Sequence, residues 1–197
     1  MFSLINFYFK KKRKYKILDF GGGWGIGYAN LLEVFDKKTL SNIDYHIYEL
    51  TDLCDIGDKK FKKKLNLKHN LKYFDNLESI DKNYDIIFFG SSIQYLKDPL
   101  ETLKEILLKN SEYIVLIDLY LTNSKTFFTR QQHYNFEAPH SFINLKQFEN
   151  IFYKKYNIIN KSYSHTTRLN KIGNLDMGNF EKKFRIKNSF NYIFKSK

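Results

Sequence analysis

The pattern with the clearest chemical meaning lies near the amino end, where the chain reads DFGGGWGIG from Asp19 to Gly27. The apolar residues Ile17, Leu18 and Phe20 predict a short buried strand before these glycines, and an apolar run after them predicts a helix. A strand, a glycine turn and a helix in this order open a doubly wound α/β domain. In such a domain ligands lie beyond the carboxyl ends of the strands.

The spacing of the glycines separates the nucleotide ligands that such a turn can hold. A P-loop needs Lys-Ser/Thr after its second glycine, but Tyr28-Ala29 follows Gly27, so a triphosphate site is disfavoured. The dinucleotide pattern G-x-G-x-x-G/A needs a small third residue, and this chain has Ile26 there. A plain tight turn between strand and helix stays open as an alternative.

One pattern fits at every position: D-x-G-x-G-x-G, which resembles the first motif of the class I S-adenosylmethionine-dependent methyltransferases. The resemblance implies that the loop wraps the amino-acid end of S-adenosylmethionine, with the acid close to the ammonium group of the cofactor. The loop residues predicted to bind the cofactor are Asp19, Gly21, Gly22, Gly23 and Gly25.

Two acids follow the next predicted strands. Glu49 ends a strand that begins at Tyr45, and a carboxylate there can accept both hydroxyls of a ribose; a solvated strand end is the alternative. The predicted third strand, Leu71 to Phe74, is followed by Asp75. In class I methyltransferases a polar residue at this point often meets the adenine amino group, so the resemblance makes Asp75 a cofactor candidate.

The fourth predicted strand, Tyr84 to Gly90, is an almost continuous apolar run, as expected of a central parallel strand. The segment Ser91 to Leu96 follows it, and Asp98 then caps a helix. This places the segment on the rim at the carboxyl ends of the strands. Ser91 is therefore predicted to bind the cofactor.

Acceptor recognition is predicted in two segments that should meet on this rim. The first contributes Gln94 and Tyr95. The second is a long connection from Leu121 to Phe142, whose length predicts a functional loop that covers the substrate. Gln131 is its predicted acceptor-binding residue.

Methyl transfer to a hydroxyl group also needs a base, and His133 and His140 are the candidates by position and ordinary pKa range. Surface or hydrogen-bonded loop histidines are the alternative for both. The five histidines include no close pair at helical ligand spacing, so no metal is predicted.

These motifs together, over about residues 15 to 160, resemble a family of methyltransferases encoded among bacterial surface-polysaccharide genes. The resemblance implies a methyltransferase acting on a small-molecule or saccharide acceptor, including a lipid-linked one. The chain is short at its amino end for that family. Two other functions remain open: a nicotinamide-dependent oxidoreductase, and a methyltransferase-like binding module without catalysis.

Composition narrows the partners. The formal net charge of +12 favours anionic partners, but the arginines that usually read nucleic acids are few, namely Arg13, Arg130, Arg168 and Arg185. The fourth strand also lacks the Asn/Asp-Pro-Pro-Tyr/Phe stretch of nucleobase amine methyltransferases. A nucleic-acid substrate is therefore not expected. The single cysteine, Cys54, is typical of a reducing compartment, so a cytoplasmic location is expected.

The remaining organisation is a lead-in and one domain. Residues 1–14 combine aromatic and basic residues and are expected to form a short lead-in, such as a helix whose apolar side covers the sheet. Contact with a membrane surface is the alternative, and no transmembrane segment is expected. Residues 15–197 are predicted to form a single methyltransferase domain. The expected fold is a Rossmann-like doubly wound α/β sheet, mostly parallel, with an antiparallel pair of strands, Tyr156 to Ser164 and Phe190 to Phe194.

Overall fold

The computed structural model describes residues 5, 14–65, 70–133, 135–164, 166–168, 171–173, 175 and 177–197. At residues 133, 166–168 and 171–173 it describes the backbone alone. Apart from Ile5 and Lys14, the predicted lead-in lies outside the described residues.

A seven-stranded sheet forms the framework, with strand order β3-β2-β1-β4-β5-β12-β9. The first three strands and β4 are parallel, and β12 runs antiparallel to β9. The predicted Rossmann-like sheet with its antiparallel pair is confirmed. The strands are β1 (Tyr15–Phe20), β2 (Ile43–Tyr48), β3 (Leu71–Phe74), β4 (Tyr84–Gly90), β5 (Ser111–Leu119), β6 (Leu121–Thr122), β7 (Phe127–His133), β8 (Phe136–Asn144), β9 (Tyr156–Ser164), β10 (Thr166–Arg168), β11 (Lys171–Gly173) and β12 (Ser189–Ser196).

The helices are short, and none in the described part of the chain is long and apolar enough to cross a bilayer. A π-helical turn, Gly57–Phe61, joins the third helix to the fourth. The helices are α1 (Ile26–Val34), α2 (Lys37–Leu40), α3 (Thr51–Ile56), α4 (Lys62–Lys64), α5 (Pro99–Leu107) and α6 (Leu145–Tyr153), with 3₁₀ turns at Leu77–Ser79, Ile93–Tyr95 and Lys182–Phe184.

The chain divides into two compact units, residues 1–90 with 108–115 and residues 91–107 with 116–197. In the first unit the order of the strands reverses between β1 and β4, because β2 and β3 lie on one side of β1 and β4 on the other. Phe20 at the end of β1 is opposite both Tyr48 and Phe89 in the ladder. Such a reversal is the usual ligand position of an open α/β sheet. The prediction of a single domain for residues 15–197 stays a prediction.

In the second unit the aromatic side chains of α6 pack against β12. Phe152 and Phe194 stack with ring centroids 4.0 Å apart, and Phe148 meets Tyr192 edge-on at 5.3 Å. Asn144 caps the start of this helix, because its Oδ1 accepts a hydrogen bond from the Gln147 N–H at 3.0 Å.

The prediction that residues Leu121 to Phe142 form a loop is wrong, and a role of this segment in covering the substrate stays a prediction. Strands β7 and β8 pair as an antiparallel hairpin over most of that length, with Thr129 opposite His140 and Gln131 opposite Ala138. The hairpin has an anchor in the stacked rings of Phe127 and Phe142, 4.6 Å apart. Its outer part is polar on both faces, so no apolar alternation marks it as a strand in the sequence.

Within the first unit, β2 buries a histidine that predicts an acid sensitivity. His46 is 1% exposed, and its Nδ1 lies 3.0 Å from the Tyr84 hydroxyl. Burial lowers the pKa of His46 to about 4, against the opposing charge of Asp81. Since the unfolded chain takes up this proton near pH 6.5, the free energy of unfolding should fall as the pH drops from 7 towards 4.

Denaturant unfolding of His46→Asn should show a weaker loss of stability over this pH range than the original protein. The difference between the two proteins isolates the histidine from other groups that titrate in the same range. Parallel pH dependences in the two proteins would contradict the assignment of a buried neutral imidazole.

Candidate functional site

The turn after β1 depends on glycine at three positions. Gly21, Gly23 and Gly25 have φ angles of 73°, 58° and 117°, in the left-handed region that other residues rarely adopt. The Gly21 N–H also donates to the Tyr48 carbonyl at 2.8 Å, which ties the start of the turn to the end of β2.

Two further glycines are needed because Asp19 lies directly against them. A Cβ atom on Gly22 would lie 2.6 Å from Asp19 Oδ2, and one on Gly27 would lie 2.5 Å from the same oxygen. At Gly25 a Cβ atom would meet Phe61 at 2.8 Å. Gly23 differs, since no heavy atom of the described residues lies within 4 Å of its Cβ position. Protein atoms therefore pack against the turn at Gly22, Gly25 and Gly27. The open position to which a Gly23 Cβ atom would point is hereafter called the space above Gly23.

Asp19 is the buried acid of this turn. Its side chain is 2% exposed, and its Oδ2 accepts a hydrogen bond of 2.7 Å from the Tyr45 hydroxyl. Burial raises the pKa of Asp19 to about 6; the Tyr45 hydrogen bond opposes this shift and the Glu49 charge adds to it. The structure places the carboxyl group under the loop, and its predicted contact with a cofactor ammonium group stays a prediction.

Glu49 forms a hydrogen bond with the backbone of the same turn. Its Oε2 accepts a hydrogen bond from the Gly23 N–H at 3.0 Å, and its Oε1 accepts one from the Leu50 N–H at 2.8 Å. The carboxylate is therefore bound to the loop rather than held by solvent alone. A carboxylate oxygen has two lone pairs, so each oxygen can accept a further donor such as a hydroxyl group.

Asp75 lies exposed after β3, and its Oδ2 accepts a hydrogen bond of 2.9 Å from the Thr51 hydroxyl. Gly21, Glu49 and Asp75 thus follow the carboxyl ends of the neighbouring parallel strands β1, β2 and β3. These ends share one edge of the sheet. The first unit brings these predicted cofactor residues to that edge.

The sequence analysis missed three apolar or aromatic side chains of this edge. Trp24 and Leu50 directly follow the two hydrogen-bonded residues Gly23 and Glu49, and they are 42% and 72% exposed. Tyr73 donates from its hydroxyl to the Trp24 carbonyl at 2.8 Å, which fixes the far side of the turn. For Trp24 the sequence did contain a signal, because a large aromatic residue between the glycines of a turn has little room to be buried.

In the second unit Ser91 begins a hydrogen-bonded chain of side chains. Its backbone is left-handed with φ 56°, and its hydroxyl donates to Asp118 Oδ2 at 2.9 Å. The Gln94 Nε2 donates to Ser91 Oγ at 2.8 Å. Asp118, also left-handed with φ 59°, accepts a second hydroxyl from Ser189. Asp118 was not predicted, because an acid close to the end of a strand is often simply solvated.

The predicted acceptor residues are partly brought together in this unit. The Tyr95 hydroxyl donates to Gln131 Oε1 at 3.0 Å, which links the turn after Ser91 to the hairpin. Gln94 is 1% exposed, and the Ser141 hydroxyl donates to the Gln94 backbone carbonyl at 3.2 Å. Gln94 therefore faces the interior of the unit.

Of the two predicted bases, His140 has a described side chain and His133 does not. His140 is 4% exposed and meets the rings of Tyr120 and Tyr95 edge-on at 4.5 and 5.6 Å. Burial raises the pKa of Tyr120 to about 12, so that ring remains a neutral phenol. The side chain of His133 lies outside the described part of the chain. A role as base stays a prediction for both histidines.

No sequence-family model matches the chain, and no curated protein matches it. Solved structures do match. An S-adenosylmethionine-dependent methyltransferase from Clostridium acetobutylicum aligns with a TM-score of 0.59 and 16% identity, over 98% of this chain and 88% of that one. These two chains share a fold.

Two further neighbours extend the comparison. The magnesium protoporphyrin IX methyltransferase of Synechocystis, with bound S-adenosylmethionine, aligns with a TM-score of 0.58 and 10% identity over 99% and 77% of the chains. The [4+2]-cyclase SpnF aligns with a TM-score of 0.54 and 13% identity over 82% and 60% of the chains. The fold is thus that of class I methyltransferases, and a cyclase also has it.

The buried carboxyl of Asp19 generates a prediction about stability. A carboxyl whose pKa is raised in the folded state contributes stability below pH 4 that is lost as the pH rises through 6. Asp19→Asn should therefore gain stability relative to the original protein between pH 4 and pH 8, by up to about 3 kcal/mol. Chemical unfolding across this pH range measures the gain.

Glu33→Gln, which removes an exposed carboxylate from α1, is the matched control and should show no such trend. A constant difference between Asp19→Asn and the original protein at every pH would mean that Asp19 is not desolvated beneath the turn.

Proposed function

We propose that the protein is an S-adenosylmethionine-dependent methyltransferase that acts on a small-molecule or saccharide acceptor. The observation that carries the proposal is the open space above Gly23 together with the Glu49 carboxylate on the same N–H group. A ligand that lies on the turn needs such a space, and the carboxylate on the Gly23 N–H can accept further hydrogen bonds from that ligand.

The parts of the cofactor match the parts of this edge. The ribose hydroxyls would donate to the free lone pairs of Glu49, the amino-acid end would lie over the Gly21–Gly25 turn, and the adenine would approach Asp75. Trp24 and Leu50 offer exposed apolar surface for the adenosine. The neighbours that bind S-adenosylmethionine have the same fold, which supports this assignment.

Bound in this way, the sulfonium supplies an electrophilic methyl group. Its displacement requires a nucleophile in line with the breaking bond, so the protein contributes mainly alignment. The turn, which packs against Asp19 and donates its Gly23 N–H to Glu49, would hold the donor in one orientation. A fixed orientation suits this role, because small displacements of a reacting atom cost much of the rate.

The acceptor side of the proposal draws on the second unit. Gln94, Tyr95 and Gln131 are the proposed acceptor-binding residues, and Ser91 is a proposed cofactor-binding residue. His133 or His140 would take the proton from a sugar hydroxyl. A saccharide in surface polysaccharide biosynthesis, including a lipid-linked one, is the proposed acceptor class, and the cytoplasm is the proposed location.

A binding module without catalysis is the second candidate, and one observation favours it. His140 is enclosed by Tyr95 and Tyr120 and is 4% exposed, which leaves little access for a substrate hydroxyl. The fold does not decide the reaction, since a cyclase has it as well. Formation of S-adenosylhomocysteine and of a methylated saccharide, when S-adenosylmethionine and candidate saccharides are supplied together, separates the two.

Gly23→Ala is expected to lose affinity for S-adenosylhomocysteine while the protein stays folded. The added methyl group meets no described atom of the protein within 4 Å, so a loss of affinity of at least about tenfold would come from its contact with the ligand. Calorimetric titration measures the affinity.

Asn110→Ala places an alanine at another left-handed position, φ 56°, in the same unit and is the control. It should keep the original affinity. If Gly23→Ala binds S-adenosylhomocysteine as tightly as Asn110→Ala does, the loop is not the cofactor site.

Glu49→Ala should weaken S-adenosylhomocysteine by roughly 10- to 150-fold, since a hydrogen bond to a charged group is worth about 1.5–3 kcal/mol. Glu49→Gln keeps an acceptor for the Gly23 N–H and loses the charge, so its affinity should lie between the two. A titration with NAD in parallel distinguishes the oxidoreductase alternative, for which NAD and not S-adenosylhomocysteine would show the Glu49 dependence.

A further inference from the structure

The second unit contains a cavity of about 350 Å³ that the proposed methyl transfer does not use. Its walls come from two segments, residues 121–124 after β5 and residues 183–190 leading into β12, with Leu145 and Tyr163 completing the lining. None of the predicted site residues lines it.

The charged side chains that line the cavity are all cationic. Lys183, Arg185 and Lys187 line the cavity, and no carboxylate of the described residues does. Lys183 has a partner in Glu181, 2.9 Å away, but both side chains are about two-thirds exposed, so this pair is worth little in water. Three cations around a small cavity create a positive potential that an anion would neutralise.

Arg185 is held in place rather than left mobile. Its Nε donates to the Phe180 carbonyl at 2.7 Å, and its Nη2 donates to the Gly178 carbonyl at 3.0 Å. These bonds use two of the five donors of the guanidinium group, so the other donors remain for a ligand. An arginine fixed in this way loses little freedom on binding, and its planar fork matches phosphate oxygens.

The opposite wall is also fixed. The Ser124 N–H donates to Thr122 Oγ1 at 3.1 Å, and the Ser124 hydroxyl donates to the Lys183 carbonyl at 3.2 Å, which joins the two walls. Asn123 and Asn188 line the cavity with side-chain amides that make no hydrogen bond to a residue the structure describes. Such amides can donate to an anion.

We propose that this cavity binds the phosphate group of a small organic phosphate, with Arg185 and Lys187 as its main contacts. The rings of Tyr163 and Phe190, 5.1 Å apart, supply an apolar side for the organic part, such as a sugar ring. A cavity of this volume suits one small ligand, whereas a nucleic-acid strand needs an extended basic track. The site does not depend on the proposed methyltransferase activity.

The test is calorimetric titration of the full chain with pyrophosphate and with glucose 1-phosphate at 150 mM salt. The original protein should bind both in a saturable 1:1 manner, and Arg185→Gln should weaken each by roughly tenfold or more. Lys187→Gln should weaken both as well. Its side chain makes no hydrogen bond to a described residue, so this variant tests the site even if Arg185→Gln fails to fold.

Lys64→Gln removes the same charge from α4 in the first unit and is the matched control. It should leave both affinities within about twofold. Equal weakening by Lys64→Gln and Arg185→Gln would reveal diffuse attraction of the kind that binds nucleic-acid backbones, and it would overturn the site, as would the absence of saturable binding.

Arg185→Gln should bind S-adenosylhomocysteine with the affinity of the original protein. This result would separate the anion site in the second unit from the proposed cofactor site in the first. The anion site stands on the phosphate titrations alone, whether or not S-adenosylhomocysteine binds.

Discussion

The turn after β1 closes over a buried carboxyl group, and the candidate site of the first unit depends on this packing. Asp19 leaves no room for a Cβ atom at Gly22 or Gly27, and Tyr45 holds its Oδ2 from the neighbouring strand. At Gly23, in contrast, no heavy atom of the described residues lies within 4 Å of the Cβ position, and the N–H of this residue donates to Glu49.

The sequence predicted the sheet and the polar ends of its strands well, because these depend on local signals. Apolar runs, alternation and glycine spacing are properties of a few consecutive residues. Glu49 could be placed at the end of β2 for the same reason. Its hydrogen bond to the Gly23 N–H could not be predicted, because that contact joins residues 26 positions apart and depends on how the turn is folded.

The second unit shows the opposite case. Its hairpin, β7 and β8, carries polar residues along both strands, so the sequence resembled a loop. The burial of His140 follows from that pairing, since the ring lies among Tyr95, Tyr120 and Phe142. The left-handed residues Ser91 and Asp118 also have no local signal, because the polar groups that hold them come from distant parts of the chain.

Net charge gave the least specific guidance. A total of +12 is compatible with nucleic acid, a membrane surface or a small anion. The structure shows that the cationic side chains have different partners. Lys59 and Lys62 lie on helical turns and form ion pairs with carboxylates of the same turns. Arg185 is fixed by two carbonyl groups beside a cavity that no described carboxylate lines.

The most direct test of the central claim is a crystal structure of the protein with S-adenosylhomocysteine. The ribose hydroxyls should lie within about 3 Å of the Glu49 carboxylate, and the amino-acid end of the ligand should lie over Gly23. A crystal grown with saturating S-adenosylhomocysteine, in which the ligand lies elsewhere or the space above Gly23 stays empty, would contradict a cofactor site at Gly23 and Glu49.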